Sequence, residues 1–334
     1  MVEVILGSNK LGDIGRVSKS SLLITSPHCW QQVAEYFPET VGSIPLLHVD
    51  KVEEKTLSRA YSRLSPPKKI IAVGCGSVTD FSKILAKRWG SELVGVPTSL
   101  STNCFMTSKS ALRRNKTTIE TIDTKLPDRV ILDTALLSKC PPRFNRAGLG
   151  DVLSIYTADY DWKLADKAGV EKYVPGIGGR AVKVLNKLLK TPKDYSQNTP
   201  KTLSREAKIL IEMSNIVEDY GSGRPESGSE HILGRAVDNT IFPRKALHGE
   251  VIALDVLICS YLQDNYSPRI LEFLKKAKIT FEPDKVGVHE KELKRAVSIA
   301  HTIRPERYSV FNEKRGTPEL IDEVFEVIGY ESDY

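Results

Sequence analysis

The sequence predicts an α/β domain built on a parallel sheet over residues 1–143, followed by an all-α domain over residues 144–334. Three observations carry this. Short β-branched runs alternate with stretches of helical period through the first 140 residues, and after "KCPPRF" only helical period remains. A chain of 334 residues is also long enough for two cores.

The strand candidates are "SLLITS" (21–26), "SIPLLHV" (43–49), "KKIIAVG" (68–74), "SELVGVP" (91–97) and "DRVILD" (128–133). Between them, "EKTLSRAYSRL" and "VTDFSKILAKRW" have the three-to-four spacing of helices packed on one face. Continuous apolar strands joined by helical crossovers imply a parallel sheet covered on both sides. In the second half, "DVLSIYTADYDWKLADKAG" (151–169), "GGRAVKVLNKLLKTP" (178–192), "SREAKILIEMSNIVEDYG" (204–221) and "GEVIALDVLICSYLQD" (249–264) read as helices, several closed by Gly or Pro. No internal repeat or low-complexity segment interrupts the pattern.

Composition narrows the function classes. Apolar content of 40% and charged content of 27% are those of an ordered globular protein. The net charge of +6 is spread out, and its densest patches (Arg113, Arg114, Lys116; Lys275, Lys276, Lys278) are short and lack interleaved aromatics, which argues against nucleic acid. No apolar run approaches a membrane span and the N-terminus lacks a secretory signal, so a cytoplasmic location is expected. Five scattered cysteines without a CxxC pair suggest neither disulfides nor a thiolate metal site.

Three segments bear chemistry. In "AVGCGSVTDFSK", Gly74 and Gly76 allow a tight turn into a helix whose positive end suits a phosphate, although such turns also occur as plain structure, and the spacing is not GxGxxG. "VPTSLSTNC" is a hydroxyl-rich loop at the end of the next strand, the edge where open α/β sheets place ligands. Finally, "ESGSEHILGRAVDNTIFPRKALHGE" sets His231 and His248 in similar Gly- and Glu-flanked settings seventeen positions apart. Each histidine alone serves equally as a hydrogen-bonded structural residue. Asp151 in "RAGLGDVLS" supplies a third candidate ligand, and it serves equally as an N-terminal helix cap. One carboxylate and two imidazoles together would form a zinc site with coordination positions left open.

"GCGSVTDFSK", "VPTSLST", "PDRVILDTALL", "GLGDVLSIYTADYDWKLA", "GRPESGSEH" and "ALHGE" occur in the order and at the separations of the family containing glycerol dehydrogenase, iron-type alcohol dehydrogenases and dehydroquinate synthase. The chain resembles that family over nearly its whole length, and most closely its sn-glycerol-1-phosphate dehydrogenase branch. The resemblance implies a dehydroquinate synthase-like fold: a Rossmann-like domain, a helical domain, and a metal and nicotinamide in the cleft between them. It implies that Gly74, Gly76, Ser77, Val78, Thr79 and Asp80 meet the coenzyme diphosphate, and that Thr98, Ser99, Ser101 and Thr107 line its nicotinamide end. Asp151, His231 and His248 would be the metal ligands and catalytic centre; Glu230 and Glu250 beside them serve equally to orient the imidazoles or to form surface ion pairs. Four-ligand iron enzymes carry another histidine one turn after the aspartate; Ile155 stands there, which favours zinc over iron.

Three positions depart from the family pattern. Asn103 replaces the aspartate that holds polyol hydroxyls, keeping hydrogen bonding but not charge. Arg235 replaces a second histidine and suits a phosphate, phosphonate or carboxylate, or else lies on a helix surface. Cys75 occupies the middle of a turn that is usually triple glycine. Ser26, with no carboxylate nearby, ends the strand where an acidic residue would repel a 2′-phosphate, so NADPH is expected to be accepted, alongside NADH. The expected function is a metal-dependent NAD(P)(H) oxidoreductase, a homo-oligomer, acting on a small anionic hydroxy or keto compound. The alternatives are a dehydroquinate synthase-like lyase, whose lysine-rich signature is not reproduced around Lys109, and a non-catalytic dinucleotide-binding relative.

Overall fold

The computed structural model describes residues 2–14, 17–37, 43–115, 119–241 and 246–331; Lys116 of the first basic patch lies outside them. The chain forms two compact units, Met1–Asn145 with Asn198–Ile211, and Arg146–Gln197 with Glu212–Tyr334. The first unit thus also takes a stretch of the helical half, which a single boundary near residue 143 does not include.

Six strands make the parallel sheet of the first unit: β1 (Glu3–Gly7), β2 (Ser21–Thr25), β3 (Leu46–His48), β4 (Lys69–Val73), β5 (Glu92–Val96) and β8 (Arg129–Asp133), in the order β1-β8-β5-β4-β2-β3. Side chains alternate between two cores. Leu22, Ile24, Ile70 and Ala72 pack on one face with Phe81 and Leu85 of the following helix, while Leu23, Ile71, Val73, Val94 and Ile131 pack on the other. This two-sided burial is why the strand runs are continuously apolar. Helices α1 (Pro27–Val33), α2 (Glu54–Arg63) and α3 (Ser77–Trp89) connect successive strands from β2 to β5, and α4 (Thr134–Leu137) follows β8. β3 goes to one side of β2 while β4 and β5 go to the other, so the strand order reverses beside the C-terminal ends of β2 and β4, a position where such sheets bind ligands.

Two features lie outside the sequence expectation. β1 is an edge strand, paired only with β8. The antiparallel hairpin β6 (Lys109–Arg113) and β7 (Ile119–Asp123) buries only Ser110 and Leu112 fully, so no apolar run marks it. The strand expected over 43–49 shrinks to three residues because β3, at the other edge, has a ladder on one side only.

The second unit is helical, in line with the expectation. Helix α5 (Pro142–Leu153) crosses into it, followed by α6 (Ile155–Lys167), α7 (Pro175–Leu189), α8 (Pro200–Tyr220, whose residues up to Ile211 belong to the first unit), α9 (Ser229–Thr240), α10 (His248–Leu262), α11 (Pro268–Ala277), α12 (Pro283–Val286), α13 (Glu290–Ile299), α14 (Val310–Glu313) and α15 (Glu319–Ile328). Apolar all round, α10 is buried from Gly249 to Ser260 and forms the centre of the unit. The single helix expected from residue 151 is instead two. Pro142 starts α5 early, as proline at a first helical position does, and the chain breaks at Ser154, whose hydroxyl donates to the carbonyls of Asp151 and, at 2.5 Å, Glu226. No helix among the described residues is long and apolar enough to cross a membrane.

Candidate metal centre and coenzyme turn

The break at Ser154 decides what Asp151 is. It is the tenth residue of α5, not the head of a helix, so the capping role left open by the sequence does not apply. His231 is the third residue of α9 and His248 the first of α10. The three converge: one ligand atom from each lies within 4.8 Å of the others. His248 Nε2 is 3.5 Å from Asp151 Oδ1, and the two imidazole centroids are 5.3 Å apart.

Glycines make this convergence possible. A Cβ on Gly150 would stand 1.8 Å from the Gly249 carbonyl oxygen, and one on Gly249 would stand 1.7 Å from that of Ala147. Backbone therefore rests on backbone where α5 meets the start of α10, and the residues beside these glycines, Asp151 and His248, are brought side by side.

The donor set fits a divalent ion. Neighbouring ligands of a tetrahedral zinc, with bonds of about 2.0–2.1 Å, are roughly 3.4 Å apart, close to the 3.5 Å edge already present. Asp151 is buried and His231 nearly so, whereas the His248 side chain is 42% exposed, leaving one approach open. Ile155, in the place of a fourth ligand, is fully buried and apolar.

Behind the candidate ligands lies a buried polar layer. The Glu230 side chain is wholly buried; its Oε1 accepts from His231 Nδ1 at 2.8 Å and from the Gly228 N–H at 2.6 Å, and its Oε2 from Thr157 Oγ1 at 2.5 Å. With Nδ1 so engaged, His231 presents Nε2 to the cluster, which is how an outer carboxylate orients an imidazole ligand. Burial disfavours the charged ring, but the hydrogen bond and charge of Glu230 outweigh it and raise His231 above its ordinary value. A metal would displace that proton. Glu250, expected beside an imidazole, has Oε2 accepting from the Leu247 N–H at 3.2 Å, a helix-capping arrangement.

In the first unit, Gly74 (φ 155°) and Gly76 (φ 50°) adopt the conformations the turn needs, and α3 begins directly after them. Val78 and Thr79 are buried behind the turn. Asp80 turns inward: Oδ2 accepts from the Ala111 N–H at 3.0 Å and Oδ1 lies 3.0 Å from Lys83 Nζ. Lys83, with a fully buried side chain, also donates to the carbonyls of Cys104 (2.9 Å), Thr107 (3.2 Å) and Lys109. It thereby ties the segment carrying Asn103 and Thr107 to α3, a role that its place amid a helical pattern did not reveal. The hydroxyls form a chain beside Cys75. Ser99 Oγ donates to Ser101 Oγ (3.2 Å), and Ser101 Oγ to Cys75 Sγ (3.4 Å); Thr98 Oγ1 lies 3.5 Å from Cys29 Sγ. Ser26 caps α1, its Oγ accepting from the Cys29 N–H at 3.1 Å. Arg235 is partly exposed on α9, one turn beyond His231.

The comparisons agree with this architecture. Residues 16–141 match the model of a family described as iron-containing alcohol dehydrogenase. Over 298 residues the chain is 28% identical to a glycerol-1-phosphate dehydrogenase (NAD(P)+) of Sulfurisphaera tokodaii, covering 89% of this chain and 85% of that protein. The enzyme of the same name from Methanosphaera stadtmanae is 27% identical over 332 residues, 96% and 95% of the two chains. Among solved structures, glycerol dehydrogenase from Schizosaccharomyces pombe superposes with a TM-score of 0.77 at 17% identity, over 98% of this chain and 88% of the other. Maleylacetate reductase from Agrobacterium tumefaciens gives 0.72 at 12% identity, over 97% and 95%. The chain is therefore similar over nearly its full length to glycerol-1-phosphate dehydrogenases, and over residues 16–141 to the iron-containing alcohol dehydrogenases.

Proposed function

We propose that the protein is a metal-dependent NAD(P)(H) oxidoreductase that moves hydride between the nicotinamide and the carbinol carbon of a small anionic hydroxy or keto compound, with glycerol 1-phosphate and its ketone, dihydroxyacetone phosphate, as the first candidates. One observation carries the reading: Asp151, His231 and His248 converge in a chain that is similar, over almost its full length, to dehydrogenases of that name.

Each residue has a physical role. Asp151, His231 and His248 hold the ion, and zinc is favoured because Ile155 offers no fourth ligand. A bound divalent ion supplies Lewis acidity at the substrate oxygen. Glu230 fixes the tautomer and direction of His231. Gly74, Gly76 and the start of α3 receive the coenzyme diphosphate, with Thr98, Ser99, Ser101 and Thr107 toward the nicotinamide and Asn103 toward the substrate hydroxyls. Asp80 acts by holding that region together, through Lys83 and Ala111. Ser26 places no charge against a 2′-phosphate, so NADPH and NADH are both used. Homo-oligomeric assembly and a cytoplasmic location belong to the same proposal.

The test is coenzyme oxidation over a panel of phosphorylated, phosphonate and carboxylate aldehydes and ketones, with and without added zinc. Turnover of dihydroxyacetone phosphate that is lost on chelation and regained with zinc is the expected result. Absence of net coenzyme turnover across the panel, in zinc-loaded protein, overturns the reading; strict use of NADH overturns the coenzyme assignment alone.

A further inference from the structure

We propose that Arg304 and Arg307 join Arg235 in a guanidinium cluster that binds the anionic group of the substrate, a phosphate monoester, one helical turn from the metal-ligating histidine of α9. That the phosphate belongs to the substrate rests on the proposed dehydrogenase reading; the anion site itself does not.

The cluster is built by a turn. Arg304 is held in the left-handed region (φ 53°) and is followed by Pro305, and the Arg307 N–H donates to the Arg304 carbonyl at 2.8 Å. A non-glycine residue there is strained and persists only where its surroundings enforce it. Those surroundings are visible. The Tyr308 carbonyl accepts from Arg224 Nη2 at 2.9 Å, and the Val310 N–H donates to Asp161 Oδ1 at 2.8 Å. Asp161, fully buried, also accepts at Oδ2 from the Ser229 N–H (2.6 Å), two residues before His231. A single carboxylate thus ties Val310, three residues past Arg307, to the head of the helix that carries His231.

Arg235 follows His231 by four positions on that helix, so the two share a face, about 6 Å apart along the axis. A three-carbon phosphate ester bridges such a span. Guanidinium charges gather here. Burial, then the neighbouring Arg304, pulls Arg235 below the ordinary arginine value. Burial, then Arg304 and Arg224, brings Arg307 down to about 10. Asp238 and Glu306 offset part of this, and Glu306 takes Arg304 Nε at 3.1 Å. Arg307 Nη1 is buried with no hydrogen-bond partner among the described residues. Partly buried cations set side by side favour an anion, and planar guanidinium forks match the oxygens of a phosphate.

The experiment uses the zinc-loaded full chain: calorimetric titration with inorganic phosphate, and steady-state kinetics with dihydroxyacetone phosphate and dihydroxyacetone. It compares wild type with Arg304→Gln, Arg307→Gln and Arg304→Lys. Each Gln variant should weaken phosphate binding, and raise KM for the phosphorylated ketone, by about 10- to 100-fold, with kcat and the neutral ketone little changed. Arg304→Lys, which keeps charge but not the fork, should fall between, and serves as the test if the Gln variants fail to fold. Unchanged phosphate affinity and unchanged selectivity for the phosphorylated ketone overturn the proposal, as does a change in NADPH over NADH preference in their place. Phosphate binding that the variants abolish, in a wild type that turns over no phosphorylated ketone, overturns the dehydrogenase reading and leaves the anion site standing.

Discussion

Gly150→Ala tests the geometry of the proposed metal centre without touching a proposed ligand. The new Cβ would lie 1.8 Å from the Gly249 carbonyl oxygen, and a Cβ contact below 3.0 Å does not survive, so α5 and α10 must separate by about 1.2 Å, the difference between the two. The obstacle is backbone, which cannot swing aside as a side chain does. Asp151 and His248 flank the contact, so the separation passes into the edge between them, now 3.5 Å. Metal–ligand distances tolerate only about 0.2 Å, and a displacement near 1 Å at a working site costs on the order of 100-fold. Zinc affinity, measured by competition with a chromophoric chelator, should therefore fall about 100-fold, and overpacking should lower stability by roughly 1–3 kcal/mol. Gly179→Ala is the control: nothing lies within 4 Å of its Cβ, so the helix around it should gain about 0.5–1 kcal/mol with zinc affinity unchanged. A folded Gly150→Ala protein that binds zinc as wild type does would refute the argument that this backbone contact sets the ligand geometry.

Glu230→Gln keeps the shape but removes the charge that three donors converge on, and should weaken zinc binding about 10- to 100-fold; an unchanged affinity in the same chelator competition would show that His231 is oriented by other means. Cys75 should show a thiolate at unusually low pH. The hydrogen bond from Cys104 lowers its value against the opposing effect of burial, and Ser101 and Ser99 bring it to about 6. Alkylation of the Cys75 peptide by iodoacetamide, followed by mass mapping, should rise as pH increases through about 6 and level off roughly one unit above it; a midpoint near the ordinary thiol value of about 8.5 is the contrary result.

Local pattern alone determined much of this protein. Strands buried on both faces must be apolar at every position, so "KKIIAVG" and "DRVILD" announce themselves, as does the central helix in "VIALDVLIC". The turn at Gly74 and Gly76 was legible for a similar reason, since only glycine relieves those backbone angles. The candidate ligands could be named one by one from the chemistry of their side chains. What they do together was decided by packing. Nothing in "RAGLGDVLS" distinguishes a cap from a mid-helix carboxylate until Pro142 starts the helix early and Ser154 ends it. The hairpin at 109–123 went unmarked because its stability comes from pairing and from the buried Lys83 beneath it, neither of which leaves an apolar run. Gly150 against Gly249 is a contact between residues separated by 99 positions, and the charge of Arg304 acts on Arg235 from 69 positions away in sequence. Propensity acts over a few residues at a time, whereas close approach of distant backbone and the gathering of distant charges exist only once the chain has folded.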